Sequence, residues 1–151
     1  MVPIPPALTA DSSSVLALQD QLLASLRLRV QDITEPPRLS SPDHRGVRVA
    51  ILFSGGLDCT VLARLCANLE LVPAGQGIDL LNVAFENPRV AKGLSRQPGS
   101  EVQDIYEACP DRTTGRKSYA ELQRVCPDRD WRFVAVGLSP CIRQRGALKP
   151  S

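Results

Sequence analysis

The stretch "VAILFSGGLDCTVLARL", Val49 to Leu65, constrains this chain more than any other: five apolar residues run into Ser54-Gly55-Gly56, and an amphipathic segment follows within a turn. The run "VRVAILF" (47–53) predicts a buried strand. Thr60 to Leu71, with Val61, Leu62, Leu65 and Leu69 on one face, predicts a helix, and "IDLLNVAF" (78–85) predicts a second strand. Strand, helix and strand joined by a short crossover imply a parallel pair in an α/β sheet.

A Gly-Gly corner at the C-terminal end of a parallel strand has two readings. Two successive glycines let the backbone curl so that amide N–H groups converge on one spot beside a helix N-terminus, which makes an anion site. Ser54 and Thr60 add hydroxyl donors for phosphate oxygens. Asp58 cannot bind phosphate directly; its role there is to hold a magnesium ion that bridges the phosphates. The bland reading is a tight strand-to-helix turn in which Asp58 caps the helix. Neither Lys-Ser nor Lys-Thr follows Gly56, and G-x-G-x-x-G is absent, so the Walker A and dinucleotide-binding patterns are excluded.

The rest of the chain frames this core. Residues 1–10 are proline-rich and expected to be disordered. Val15, Leu18, Leu22, Leu26, Val30 and Ile33 recur at helical spacing, so 15–33 is expected to be an amphipathic helix ending at Glu35-Pro36-Pro37. Residues 36–46 read as a linker, and 86–116 as a polar insertion with a short helix at "EVQDIYEA" (101–108). Ser118 with Glu121 predicts a capping box that opens a helix through Val125. "WRFVAV" (131–136) predicts a third strand, and 139–151 a tail. The expected organisation is therefore 1–46 as tail, helix and linker, and 47–138 as one α/β unit with about three strands and flanking helices. That is part of a doubly wound parallel sheet.

Composition excludes several classes of function. A formal charge of +2 is too small to argue for nucleic acid or a membrane surface. No apolar run approaches the roughly 20 residues of a membrane helix, and "MVPIPPALTA" has neither the basic start nor the apolar centre of a signal peptide. A soluble cytoplasmic protein is expected. The five cysteines, Cys59, Cys66, Cys109, Cys126 and Cys141, contain no C-x-x-C pair, and the one histidine, His44, stands in the polar linker, so neither a disulfide framework nor a zinc site is suggested. Cys66 reads as a small buried apolar residue.

The spacing "SGGLD" after an apolar strand resembles the PP-loop of the ATP pyrophosphatases, S-G-G-x-D-S, with Cys59 in place of the final serine. With "IDLLNVAF" and "PDRTTGRKSYAELQRVCPDRDWRFVAV" it is similar, block by block and in order, to the asparagine synthetase domain-containing proteins, relatives of glutamine-hydrolysing asparagine synthetase. The resemblance implies an adenine nucleotide alpha hydrolase-like fold. It also implies a domain that binds ATP and Mg2+, activates an aspartate-like carboxylate as an acyl-adenylate and forms an amide, as in asparagine biosynthesis. On that resemblance Ser54, Gly55, Gly56, Asp58 and Cys59 form the pyrophosphate loop, with Thr60 beside it, and Leu52 and Val83 lie by the adenine. Arg112 and Arg116 are the candidate cations for the departing pyrophosphate; their other reading is a surface salt-bridge cluster with Asp111 and Glu121.

The departures carry expectations as well. Val2 stands where the glutaminase half of the full enzyme exposes its nucleophilic cysteine. The second set of glycine-rich, acidic and lysine residues that the synthetase half uses does not occur before Ser151. The chain is therefore expected to be a truncated form that keeps the ATP loop and is incomplete for catalysis. The alternative is a non-enzymatic nucleotide-binding or protein-interaction module whose helix at 15–33 docks a partner.

Overall fold

The computed structural model describes residues 7–34, 47–67, 71–73, 75–86 and 102–138. The tail at 139–151, the linker at 36–46 with His44, and Cys141 lie outside the described residues. The elements run α1 (Ser13–Val30), β1 (Val49–Leu52), α2 (Leu57–Cys66), β2 (Ile78–Phe85), α3 (Val102–Glu107), α4 (Pro110–Val125) and β3 (Trp131–Leu138).

The three strands form one all-parallel sheet in the order β1-β2-β3, with Val49 opposite Ile78 and Ile78 opposite Trp131. The β1–α2–β2 and β2–α4–β3 units are both strand-helix-strand crossovers, as parallel pairing requires. Alternation along the strands separates two faces. Val49, Phe53, Ile78 and Leu80 face the helices and join Ala63 and Cys66 of α2 and Leu122 of α4 in the core. Each of the valine, isoleucine, leucine and phenylalanine side chains among them, fully buried, contributes about 1.5–3 kcal/mol. On the opposite face Leu52 and Phe85 remain 76% and 64% exposed, although parallel sheets are commonly covered on both faces.

Strand β2 occupies the residues its aliphatic run predicts; β1 is shorter and β3 longer than predicted. Two helix starts are corrected. Helix α2 begins at Leu57 rather than Thr60, because Gly56 in extended geometry (φ −67°, ψ 171°) serves as its N-cap. Helix α4 begins at Pro110, so the polar stretch 110–116 belongs to a helix. Cys109 is the N-cap in extended geometry, Pro110 presets the helical φ where its missing N–H costs nothing, and Asp111 faces the positive end of the dipole. Ser118 and Glu121 form no capping box. They sit inside α4, where the Ser118 hydroxyl bonds elsewhere and Glu121 pairs with Arg124 at 3.1 Å.

The first helix packs on α2 through Leu23 and Leu26, with Val30 and Ile33 behind them, yet none of its residues is fully buried and Leu18 remains 61% exposed. Ahead of it Thr9 and Ser12 make a reciprocal turn, Thr9 N–H to Ser12 Oγ at 2.9 Å and Ser12 N–H to Thr9 O at 3.0 Å. Order thus starts inside the segment expected to be a disordered tail, because a hydroxyl satisfies the backbone there. No described helix is long and apolar enough to cross a membrane.

Arg129 fastens the far end of the unit. Its buried guanidinium donates to the carbonyls of Ala67, Val72, Pro73 and Gln76 at 2.8 to 3.2 Å, closing the end of α2 and the turn before β2. Burial pushes its pKa down from the usual value. One side chain thus serves four backbone carbonyls, and the Pro73 carbonyl also accepts the Gln76 N–H at 3.3 Å.

Candidate functional site

The segment after β1 leaves the sheet at its C-terminal edge. Phe53 is still paired, its N–H donating to Leu81 O at 2.8 Å. Gly55 then takes φ +87°, a conformation that favours glycine, and Gly56 turns the chain into α2. Gly56 O collects the first turn: it accepts from Thr60 N–H at 3.2 Å, the Thr60 hydroxyl at 2.7 Å and the Cys59 thiol at 3.2 Å. Ser54 is exposed, its Oγ 3.4 Å from Gly56 N and 3.7 Å from Cys59 Sγ. The N-cap Gly56 makes no side-chain cap bond, and Asp58 stands in the first turn, where the helix dipole favours a carboxylate. That side chain is exposed. The first backbone N–H groups of a helix have no partner within it, and with the dipole they favour an anion.

Leu52 and Val83 come together on one side of the sheet. Leu52 pairs in register with Leu81, and Val83, two residues along the same strand, shares its face near the same edge. Leu52 is exposed and Val83 half-buried.

Arg112 and Arg116 belong to α4 and share one carboxylate that sequence reasoning did not single out. Arg112 is 2% exposed and donates to Glu107 Oε1 at 3.1 Å and to Val136 O at 3.0 Å. Arg116 engages both oxygens of Glu107, at 3.1 and 2.9 Å, and its guanidinium lies 4.6 Å above the Phe133 ring. The surface cluster expected with Asp111 and Glu121 is therefore not formed. Helix α4 places Arg112 inward against β3, and the nearest carboxylate comes from the end of α3. The Arg116 hydrogen bond, with the charges of both arginines, holds the Glu107 carboxyl below the usual glutamate range, and the same bond pushes Arg116 up.

Three further residues bind the loop to the rest of the unit. Asn82, fully buried, donates both amide hydrogens, to Phe53 O at 2.8 Å and to Asp111 O at 3.0 Å. Gly115 lies so close to the loop that a Cβ on Gly55 would fall 2.4 Å from its nitrogen. The Ser118 hydroxyl donates to Gly55 O at 2.7 Å. The one signal that could have pointed to this group is the asparagine inside the otherwise aliphatic "LLNVAF".

An asparagine synthetase domain-containing protein of Drosophila melanogaster is 37% identical over 128 residues, which is 81% of this chain and 21% of that protein. By sequence the chain is a relative of the asparagine synthetase domain-containing proteins. The human protein, asparagine synthetase domain-containing protein 1, is 36% identical over 134 residues, covering 74% of this chain and 20% of its own length. A Saccharomyces cerevisiae protein of the same description is 35% identical over 116 residues, covering 74% of this chain and 19% of its own. The chain thus spans about a fifth of the length of each relative. No family model and no solved structure matches it.

Proposed function

We propose that the segment Ser54–Thr60 holds the phosphates of ATP with a magnesium ion, and that the chain supplies the nucleotide-binding part of an asparagine synthetase-type domain. The observation that carries this reading is the loop itself. Gly55 at φ +87° and Gly56 as N-cap lead from the C-terminal end of a parallel strand into a helix that no side chain caps, the arrangement in which backbone amides receive phosphate. The relatives' shared description supplies the kind of domain.

The donor set suits a magnesium ion that arrives with its nucleotide. Among the described residues no group of three or more His, Cys, Asp or Glu is placed to hold a metal, and magnesium is commonly held by one carboxylate, phosphate oxygens and water. Asp58 is that carboxylate. Leu52 and Val83 offer apolar surface to the adenine. Arg116, half-exposed, is the better placed of the two arginines to meet a charged group, since Arg112 is buried and committed to Val136 O. The chemistry of such a domain is ATP-driven activation of an aspartate-like carboxylate and amide formation; this chain's own residues contribute binding and orientation.

Calorimetric titration with MgATP tests the reading. Asp58→Ala and Gly56→Val each weaken binding at least about tenfold, ~1.4 kcal/mol. A Cβ at Gly56 meets only the Ser54 hydroxyl, at 3.6 Å, so this substitution fills the mouth of the loop and leaves the core alone. Equal binding heats for the wild type and both variants would overturn the assignment.

A further inference from the structure

We infer that Ser118 is a positioning residue, which together with Gly115 clamps the Gly55 peptide and sets the curvature of the loop before any ligand arrives. The inference rests on the reading of the loop as a phosphate site and names what keeps it in shape. Gly115 and Ser118 are three residues apart on α4 and so lie on one helical face. Gly115 carries no side chain on that face, and the loop backbone closes directly on the helix backbone: a Cβ on Gly55 would meet Gly115 N at 2.4 Å, Gly115 Cα at 2.5 Å and the Thr114 carbonyl carbon at 2.5 Å. This approach brings the Gly55 carbonyl within 2.7 Å of the Ser118 hydroxyl, one turn along.

The direction of that hydrogen bond matters for the ligand. A peptide plane has its C=O and N–H on opposite sides. Drawing the Gly55 carbonyl toward α4 therefore turns the following N–H, that of Gly56, the other way, and that amide's contact at 3.4 Å is the exposed Ser54 hydroxyl. Asn82 fixes the two ends of the arrangement, tying Phe53 O before the loop to Asp111 O in the first turn of α4. A preset loop spends no binding energy on ordering itself.

Amide hydrogen exchange followed by NMR, on the protein without nucleotide, reads the clamp directly at Phe53 and Thr60, whose amides bond to Leu81 O and Gly56 O. In Ser118→Ala the Thr60 amide exchanges about tenfold faster, because local opening becomes easier, while amides in the centre of β2 keep their rates. Ser118→Thr, which retains the hydroxyl, restores the slow rate; Lys117→Ala, on an exposed neighbour in the same helix, leaves it unchanged. With MgATP, Ser118→Ala binds about fivefold more weakly, the worth of one hydrogen bond.

An unchanged Thr60 rate in Ser118→Ala overturns the clamp. A uniform acceleration across β2 and the loop overturns it too, because that marks general destabilisation. If Ser118→Ala does not fold, the wild type decides: a Thr60 amide exchanging at the rate of an unstructured peptide overturns the clamp, and a protected one supports it. A wild type with no MgATP affinity removes the nucleotide reading alone, since the exchange rates need no ligand.

Discussion

Two glycines separate the cost of backbone conformation from the cost of a close approach. Gly55 and Gly75 have nearly the same dihedral, φ +87° and +83°, but a Cβ at Gly75 has nothing within 4 Å whereas one at Gly55 collides with the α4 backbone. Gly75→Ala therefore carries only the strain of an alanine at positive φ, about 1 kcal/mol after the stiffer unfolded chain is allowed for. Gly55→Ala carries the same strain and more. To move a carbon from 2.4 Å to an ordinary contact, loop and helix must part by about 1 Å. Overpacking of that kind costs roughly 1–3 kcal/mol, and the separation also breaks the Ser118 bond, worth about 1 kcal/mol. The loss comes to about 4 kcal/mol, most of the stability of a domain at the low end of the usual range. Urea titration followed by circular dichroism at matched protein concentration is the assay. Gly75→Ala keeps a cooperative transition with a slightly lower midpoint, and Gly55→Ala unfolds at much lower urea. Equal midpoints for the two variants would refute the reasoning, since the loop would then not be pressed against α4.

Other perturbations test other joints of the unit. Asn82→Leu keeps the volume but takes the side-chain donor from Phe53 O and cuts the tie to Asp111 O, which keeps its helical partner, a loss of about 1–3 kcal/mol in urea titration; a loss below about 0.5 kcal/mol would remove Asn82 from the junction. Arg129→Met removes the guanidinium from four backbone carbonyls, of which Pro73 O keeps the Gln76 N–H, and costs about 3 kcal/mol; Arg129→Lys recovers only part of it because an ammonium lacks the planar fork. Full recovery by lysine would contradict that account. Glu107 has a carboxyl held below its ordinary pKa, first by the Arg116 hydrogen bond. Its contribution is therefore complete above the unfolded glutamate pKa of about 4.3 and is lost as pH falls through the lower folded value. The advantage of wild type over Glu107→Gln, measured by thermal melts, is present at neutral pH and vanishes in acid; an advantage that persists undiminished in strong acid would contradict the pairing.

What the sequence discloses here follows the range of the forces. Strand β2 and its parallel partners were readable because aliphatic alternation is local and the crossover leaves few topologies. The loop was readable because two glycines after an apolar run have few uses. The start of α4 was not: Thr113, Thr114 and Gly115 weaken helical propensity, and Gly115 is present for its contact with Gly55 and Asn82, which no local pattern announces. The pair Ser118 and Glu121 imitated a cap because the motif takes no account of what else a serine hydroxyl can reach. Arg129 as the donor to four carbonyls depends on groups 53 to 62 positions away that only the folded arrangement brings near, and Glu107, five and nine residues from its two arginines, meets them only through the corner between α3 and α4.

The bond between Ser118 and Gly55 joins positions 63 apart in sequence, and that separation sets an order of events. A loop that borrows its shape from so far downstream cannot finish forming while its own strand and helix fold; it waits until β2 is laid down and α4 has crossed back over the sheet. A peptide carrying only residues 47–67 would hold every residue of the glycine corner and still lack its form. During synthesis or refolding, the shape of the corner should arrive together with the β2–α4–β3 crossover, so that a protected Thr60 amide reports the joining of all three described strands.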